Sequence, residues 1–318
     1  MPPKISIIIR SFNEEKHIAR LLTGIQQQDM TSEEVEVILV DSGSTDATVN
    51  IATHYDIKII SIKPEDFSFG YALNVGCEQA KGEILLFASA HVYPTYKDWL
   101  AQMLKPFEDD KVALVYGKQR GNEITKYSEH QLFKKWFPES SDFNQIHPFC
   151  NNANAAIRRE LWKEQPYDEA LTGLEDLDWA KKILNKGYKL VYNAEAEIIH
   201  VHEETPKRVL NRYRREAIAL KYIMPEAKFS FFDFIQLSIS NIFSDWLHSS
   251  KEKVFFKNFW DICIFRFMQF WGTYKGYRQK KPIDTILKKR FYYPNAITMK
   301  TMEFQNTKKL IDYSESSQ

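Results

Sequence analysis

Glu175, Asp176 and Asp178 crowd three carboxylates into one short stretch of this chain. Such a stretch reads in two ways. At a helix start, carboxylates are favoured by the positive end of the helix dipole. Held within reach of a hydroxyl, one of them can instead take its proton as a general base. His91 stands just past an apolar run, and His200 and His202 are two residues apart. In an extended segment residues two apart share a face, so this pair can offer two imidazoles to one ion. A polar strand end would look the same. Asp41 follows another apolar run and opens the turn Asp41-Ser42-Gly43-Ser44-Thr45-Asp46. A carboxylate there can accept hydrogen bonds from a base or ribose, or cap the next helix.

The elements that must hold these groups alternate between strand and helix. Ile84 to Ala88, between Lys81-Gly82 and Pro94, reads as a strand buried on both faces. Ser89, Ala90 and His91 then place small groups and one imidazole at its carboxyl end, where open α/β sheets bind ligands. Ile5 to Arg10, Val35 to Val40 and Ile57 to Ile62 read as further strands, with Ile18, Leu21, Leu22 and Ile25 at helical spacing between the first two. This alternation predicts a parallel sheet with right-handed crossovers. Neither a Gly-x-Gly-x-x-Gly nor a Gly-x-x-x-x-Gly-Lys-Ser/Thr motif occurs, which argues against dinucleotide oxidoreductases and P-loop enzymes. Tyr96 to Phe107 reads as a helix and Val112 to Tyr116 as a strand. The polar segment Gly117 to Phe149 is either a lid or a peripheral helix. Asn151, Asn152 and Asn154 precede an expected helix start. The helix carrying Asp176 should run to about Lys186, with Gly187 as its stop. Leu190 to Tyr192 and Ile198 to Val201 read as two short strands.

With 318 residues, 44% hydrophobic and 27% charged, the chain can bury a sizeable core. Cys77, Cys150 and Cys263 form no close pair, which fits a reduced compartment. No secretory leader is expected, and no apolar run reaches the roughly 18 residues of a membrane span. The net charge of +1 hides an asymmetry. Residues 1–204 hold 22 Lys+Arg and 32 Asp+Glu, a net of −10; residues 205–318 hold 21 and 10, a net of +11.

Ile7 to Glu15, Val40 to Thr48, Phe67 to Gly76 and Ala80 to Glu83, taken as an ordered set, resemble the nucleotide-binding half of family 2 glycosyltransferases, in their bacterial rhamnosyltransferase-like branch. The resemblance implies an inverting enzyme with a GT-A fold: a mixed, mostly parallel sheet over residues 1–204, a helical region over 205–295 and a polar tail over 296–318. It places Phe12, Asn13, Glu15, Asp41, the turn at Gly43, Asn74 and Ser89 on the donor side, with Asn74 in a loop. Asn152, Asn154 and Trp179 fall on the acceptor side, and Glu175-Asp176 matches the family's Glu-Asp pair, with Asp176 as general base. Leu73 replaces an arginine that many relatives carry before the asparagine. Ser89-Ala90-His91 replaces an Asp-x-Asp-like motif, so His91 takes the place of its metal-binding carboxylate. A divalent ion, manganese or magnesium, is implied. Imidazole suits manganese or zinc better than magnesium. His202, with His200 as the alternative, would join His91.

The implied partners are a UDP-, dTDP- or GDP-linked sugar and a glycan or lipid-linked acceptor in surface polysaccharide synthesis; no nucleic acid is expected. Two alternatives stand beside this: a polyprenyl-phosphate sugar transferase, and a non-catalytic nucleotide-sugar-binding or scaffold protein. In the basic region, Arg208, Arg212, Arg214 and Arg215 either line a solvated basic helix or face phosphate. The aromatic segments Phe229 to Leu247 and Val254 to Tyr277 fit a helical core, a homodimer interface or peripheral attachment at the inner face of the cytoplasmic membrane.

Overall fold

The computed structural model describes residues 4–30, 34–280, 287, 291 and 292. The expected tail over 296–318, and Lys281, Lys288 and Lys289 of the basic cluster, lie outside them. Residues through Arg278 form one compact unit.

The N-terminal strands follow the expected pattern. β1 (Ile5–Ser11) pairs in parallel with β2 (Val35–Asp41) on one side and β4 (Ile84–Ser89) on the other, and β3 (Lys58–Ser61) extends β2 in parallel. Helices α1 (Ile18–Gln26), α2 (Thr48–Ala52) and α3 (Phe69–Gln79) are the crossovers. The isoleucines of β1 divide by alternation: Ile8 packs with Val40, Leu73 and Phe87 on one face, and Ile7 and Ile9 with Leu21, Leu39 and Leu86 on the other. A strand covered on both faces must be apolar throughout, and Ile5, Ile7, Ile8 and Ile9 are all fully buried.

Beyond β4 the sheet becomes mixed. β8 (Asn154–Arg158) runs antiparallel to both β4 and β6 (Val112–Arg120), and β9 (Lys189–His200) runs parallel to β6. β5 (Val92–Pro94) and β7 (Asp142–Gln145) pair antiparallel with β9. The strand order is β3-β2-β1-β4-β8-β6-β9-β5. Several expectations are corrected here. The asparagines at 151–154 lead into β8, not into a helix; Ala155, Ala156 and Ile157 fill the narrow slot between β4 and β6, and α6 (Arg159–Glu164) follows. The two short strands near residues 190 and 200 are one strand, bent where its pairing to β6 shifts register between Gly117 and Gln119. Helix α4 covers only Trp99–Leu104. The segment 117–149 is not an open lid: it finishes β6 and then forms α5 (Tyr127–Trp136) and β7.

Helix α7 (Glu175–Asn185) begins after Leu174, whose φ is +57°, and ends before Gly187 at φ +86°. Then come α8 (Pro206–Ile223), α9 (Phe231–Lys251) and α10 (Phe255–Tyr277). α8 and α10 cross closely. A Cβ on Gly272 would lie 2.4 Å from the Leu210 carbonyl oxygen, and one on Gly276 2.6 Å from that of Arg214. α10 is anchored by a buried pair: Arg266 Nε and Nη2 donate to Asp245 of α9 at 2.7 and 3.0 Å, and Ser128 Oγ of α5 donates to the same carboxylate at 2.6 Å.

Candidate active site

The carboxyl ends of β1, β2 and β4 open onto one region. The loops after β1 and β2 are latched to each other: Asn13 Oδ1 accepts from Thr45 N at 2.8 Å, Ser44 Oγ from Asn13 N at 2.9 Å, and Glu15 Oε2 from Ala47 N at 3.0 Å. Asn13 adopts φ +55° to make this turn. Asp41, buried, accepts from Ser11 Oγ, from Ser44 Oγ and from the amides of Gly43 and Ser44. Its capping role is therefore built in.

Asn74 stands inside α3, not in a loop. Its Oδ1 accepts from Trp162 Nε1 and Tyr167 N, each at 3.0 Å, and its Nδ2 donates to Tyr167 O and Glu169, each at 2.9 Å. It ties α3 to the segment leading into α7. Asn154 and Trp179 lie in the core. The Asn154 amide is held by Trp99 and the Ala196 carbonyl, and Trp179 Nε1 donates to Gln165 O at 2.7 Å. Asp178 accepts from Lys182, one turn along α7, at 2.7 Å.

Glu175 and Asp176 are both buried. Arg10, at the end of β1 and in register with Ser89 of β4, donates to Glu175 at 3.1 Å. Asp176 accepts from the Asn152 amide at 3.0 Å and from the Leu177 amide at 2.8 Å. Burial, then the adjacent Glu175 charge, pushes the Asp176 carboxyl up to about 7, against the pull of those amides and Arg10. A carboxylate with such a value can both hold and release a proton near neutrality. Arg10 also lies over the Phe69 ring at 4.7 Å, and Arg215 of α8 lies over the same ring at 4.5 Å.

The second cluster is made by pairing of β5 with β9. Val92 faces His200, and His91 O accepts from Val201 N at 3.0 Å, so residues distant in sequence become neighbours. The ring of His91 lies 5.1 Å from that of His200 and 5.7 Å from that of His202, and the latter two are 4.0 Å apart. Each imidazole has its Nδ1 engaged: His91 with Glu14 at 2.8 Å, His200 with Gln119 at 2.8 Å, His202 with Glu129 at 2.7 Å. Ligating atoms of all three come within 4.8 Å of one another. His200 Nε2 is buried without a hydrogen-bond partner among the described residues. Burial, then His202 and His91, holds the His200 imidazole well below its ordinary range and therefore neutral. Burial lowers His91 too, but the Glu14 charge and hydrogen bond outweigh it and leave it raised. An imidazole with one nitrogen fixed by an outer acceptor is how proteins present histidine to a metal. The donor set fits a borderline divalent ion.

Sequence reasoning brought His91, His200 and His202 to attention but missed their supports, Glu14, Gln119 and Glu129. Glu14 sits in the Asn13-Glu14-Glu15 loop, one place from the residue singled out. Arg10, a charge inside an apolar strand, was the other readable signal. Arg212 of α8 turns to Glu129 at 2.8 Å and Glu204 at 2.6 Å, so its nearest partners are carboxylates.

The glycosyl transferase family 2 model matches residues 6–165. The chain belongs to that family. This family 2 glycosyltransferase is 28% identical to the O-antigen chain rhamnosyltransferase RfbN of Salmonella typhimurium, over 66% of this chain and 70% of that protein. It is 30% identical to the O-antigen chain rhamnosyltransferase WbaN of Salmonella anatum, over 58% of this chain and 62% of that one. Among solved structures, the mannosyltransferase PcManGT from Pyrobaculum calidifontis, in complex with GDP-Man and Mn2+, aligns with a TM-score of 0.60 at 19% identity, covering 88% of this chain and 89% of that one. S. aureus TarS 1-349 in complex with UDP-GlcNAc aligns at 0.52 and 18% identity, covering 84% and 90%. The fold is that of GT-A glycosyltransferases, followed by a helical region, and the activity is sugar transfer.

Proposed function

We propose that the enzyme moves a sugar from a nucleoside-diphosphate donor to a hydroxyl of a glycan or lipid-linked glycan during surface polysaccharide assembly, inverting the anomeric centre. The observation that carries this reading is the buried Glu175–Asp176 pair, with Asp176 raised to about 7 and bound by two backbone amides. An acceptor hydroxyl is a weak nucleophile near neutral pH. Asp176 takes its proton as the new bond to the anomeric carbon forms. The bond to the diphosphate breaks on the opposite face, so the configuration inverts. Glu175, held by Arg10, lies beside Asp176 and raises its basicity. His91, His200 and His202 would hold a divalent ion, with manganese favoured by the imidazole donors. Such an ion supplies positive charge for the diphosphate leaving group. The nucleotide sugars bound by structural neighbours, and the O-antigen role printed in the relatives' names, support the donor and acceptor classes.

The test is Asp176→Asn. Nucleoside-diphosphate binding should persist, while sugar transfer falls by roughly two or more orders of magnitude, the scale of general-base loss. Transfer at a near-native rate would remove Asp176 from this role.

A further inference from the structure

We infer that the outer face of the α9–α10 hairpin docks on an anionic lipid surface. The two helices run antiparallel, tied by Phe234 against Phe267 and by Trp246 stacked on Phe259 at 4.6 Å. α9 turns Phe234, Ser238, Asp245 and Ser249 inward. Its opposite side presents Phe232, Ile235, Ile239, Phe243 and Leu247, all exposed. α10 adds Phe256, Trp260, Ile264 and Phe267, spaced one turn apart along one stripe. Phe256 is 93% exposed and Trp260 72%, which no packing requirement of the fold explains. Contiguous apolar surface of this kind marks a protein or membrane contact.

Charge decides between the two. Every acidic side chain between Phe231 and Tyr277 has a partner within the protein. Asp245 holds Arg266, Glu252 holds Lys134 and Tyr127, Asp261 holds Lys126, and Asp233 caps its own helix at Ser230. The lysines do the reverse. Lys251, Lys253 and Lys257 are exposed at the hairpin turn, beside Phe256, and form no ion pair among the described residues; Lys275 is exposed at the other end. The exposed lysines therefore gather at the turn end of the aromatic stripe, with Lys275 at the other end. A surface built to meet its own copy would bring these lysines together. Anionic headgroups match them, and aromatic rings favour the interfacial layer. No described helix is long and apolar enough to cross a membrane, so the contact is one of helices lying in the interface plane.

Flotation of the full chain with phosphatidylcholine vesicles, with and without phosphatidylglycerol, tests this. The protein should float with the anionic vesicles at low salt and lose them as salt rises. Each of Lys251→Gln, Lys253→Gln and Lys257→Gln should lower the partition about fivefold. Phe256→Ser combined with Trp260→Ser should abolish flotation while leaving circular dichroism and the thermal midpoint unchanged. Failure to float overturns the inference, and two further measurements say what covers the face. A concentration-dependent dimer broken by the Phe256→Ser and Trp260→Ser pair would assign it to a second copy. A monomer whose Trp260 is shielded from aqueous quencher would assign it to the chain's own C-terminal residues. Vesicle binding is read without turnover, so its failure would leave the role of Asp176 untouched.

Discussion

Asp176 is where one residue's environment sets the chemistry. Its carboxyl is displaced upward from 3.8 to about 7, by burial first and Glu175 second. The folded chain therefore keeps a proton that the unfolded chain releases as pH rises from about 4 to about 7. The stability contributed by that proton is complete below this window and is lost through it. Urea denaturation from pH 4 to 8 should show the declining component, and Asp176→Asn should remove it. Activity runs the other way, because the base works ionised: kcat/KM should rise with pH to a plateau above an apparent pKa near 7. Glu175→Gln removes the like charge and frees Arg10, so it should move that limb to lower pH. The sequence shows the carboxylate pair plainly, because both residues open a helix. It does not show their burial, since the walls come from Asn152 and Arg10, distant along the chain. The resemblance put Asn74 in a loop; its place in α3, with four hydrogen bonds to Trp162, Tyr167 and Glu169, depends on partners distant along the chain.

Between elements, α5 links the histidine cluster to the C-terminal helices. Glu129 is buried and shared by His202 and Arg212, which hold it down at about 2 although burial alone would raise it. Its neighbour Ser128 is gripped by the Asp245–Arg266 pair through both side chain and carbonyl. Glu129→Gln should weaken manganese-dependent binding of a nucleoside diphosphate about 10- to 100-fold, the usual cost of losing an outer-sphere acceptor. Calorimetry with and without manganese checks this, and the binding seen without metal should be unchanged. Asp245→Ala leaves Arg266 buried and unpaired, so it should cost about 3–5 kcal/mol in chemical denaturation. None of these links is legible from sequence spacing, because α5, α9 and α10 meet through contacts between residues distant along the chain. β8 was missed because its alanines carry no strand signal; the slot between β4 and β6, not propensity, makes it a strand.

At the scale of the whole molecule, the parallel half of the sheet is written in the sequence as apolar runs ending in polar turns, and the structure follows it closely. The antiparallel half is not, because its pairing is set by contacts between distant segments. The family match ends at residue 165, yet the proposed base lies on α7 and the support of His202 on α5 and α8. The proposed site and the later helices are thus one assembly. The central claim is a single displacement assisted by Asp176, and the anomeric configuration of the product reports on it directly. Proton NMR of the first product formed from an α-linked nucleotide sugar should show a β-glycoside, or the α-glycoside from a β-linked donor. A product that retains the donor's configuration would contradict the account.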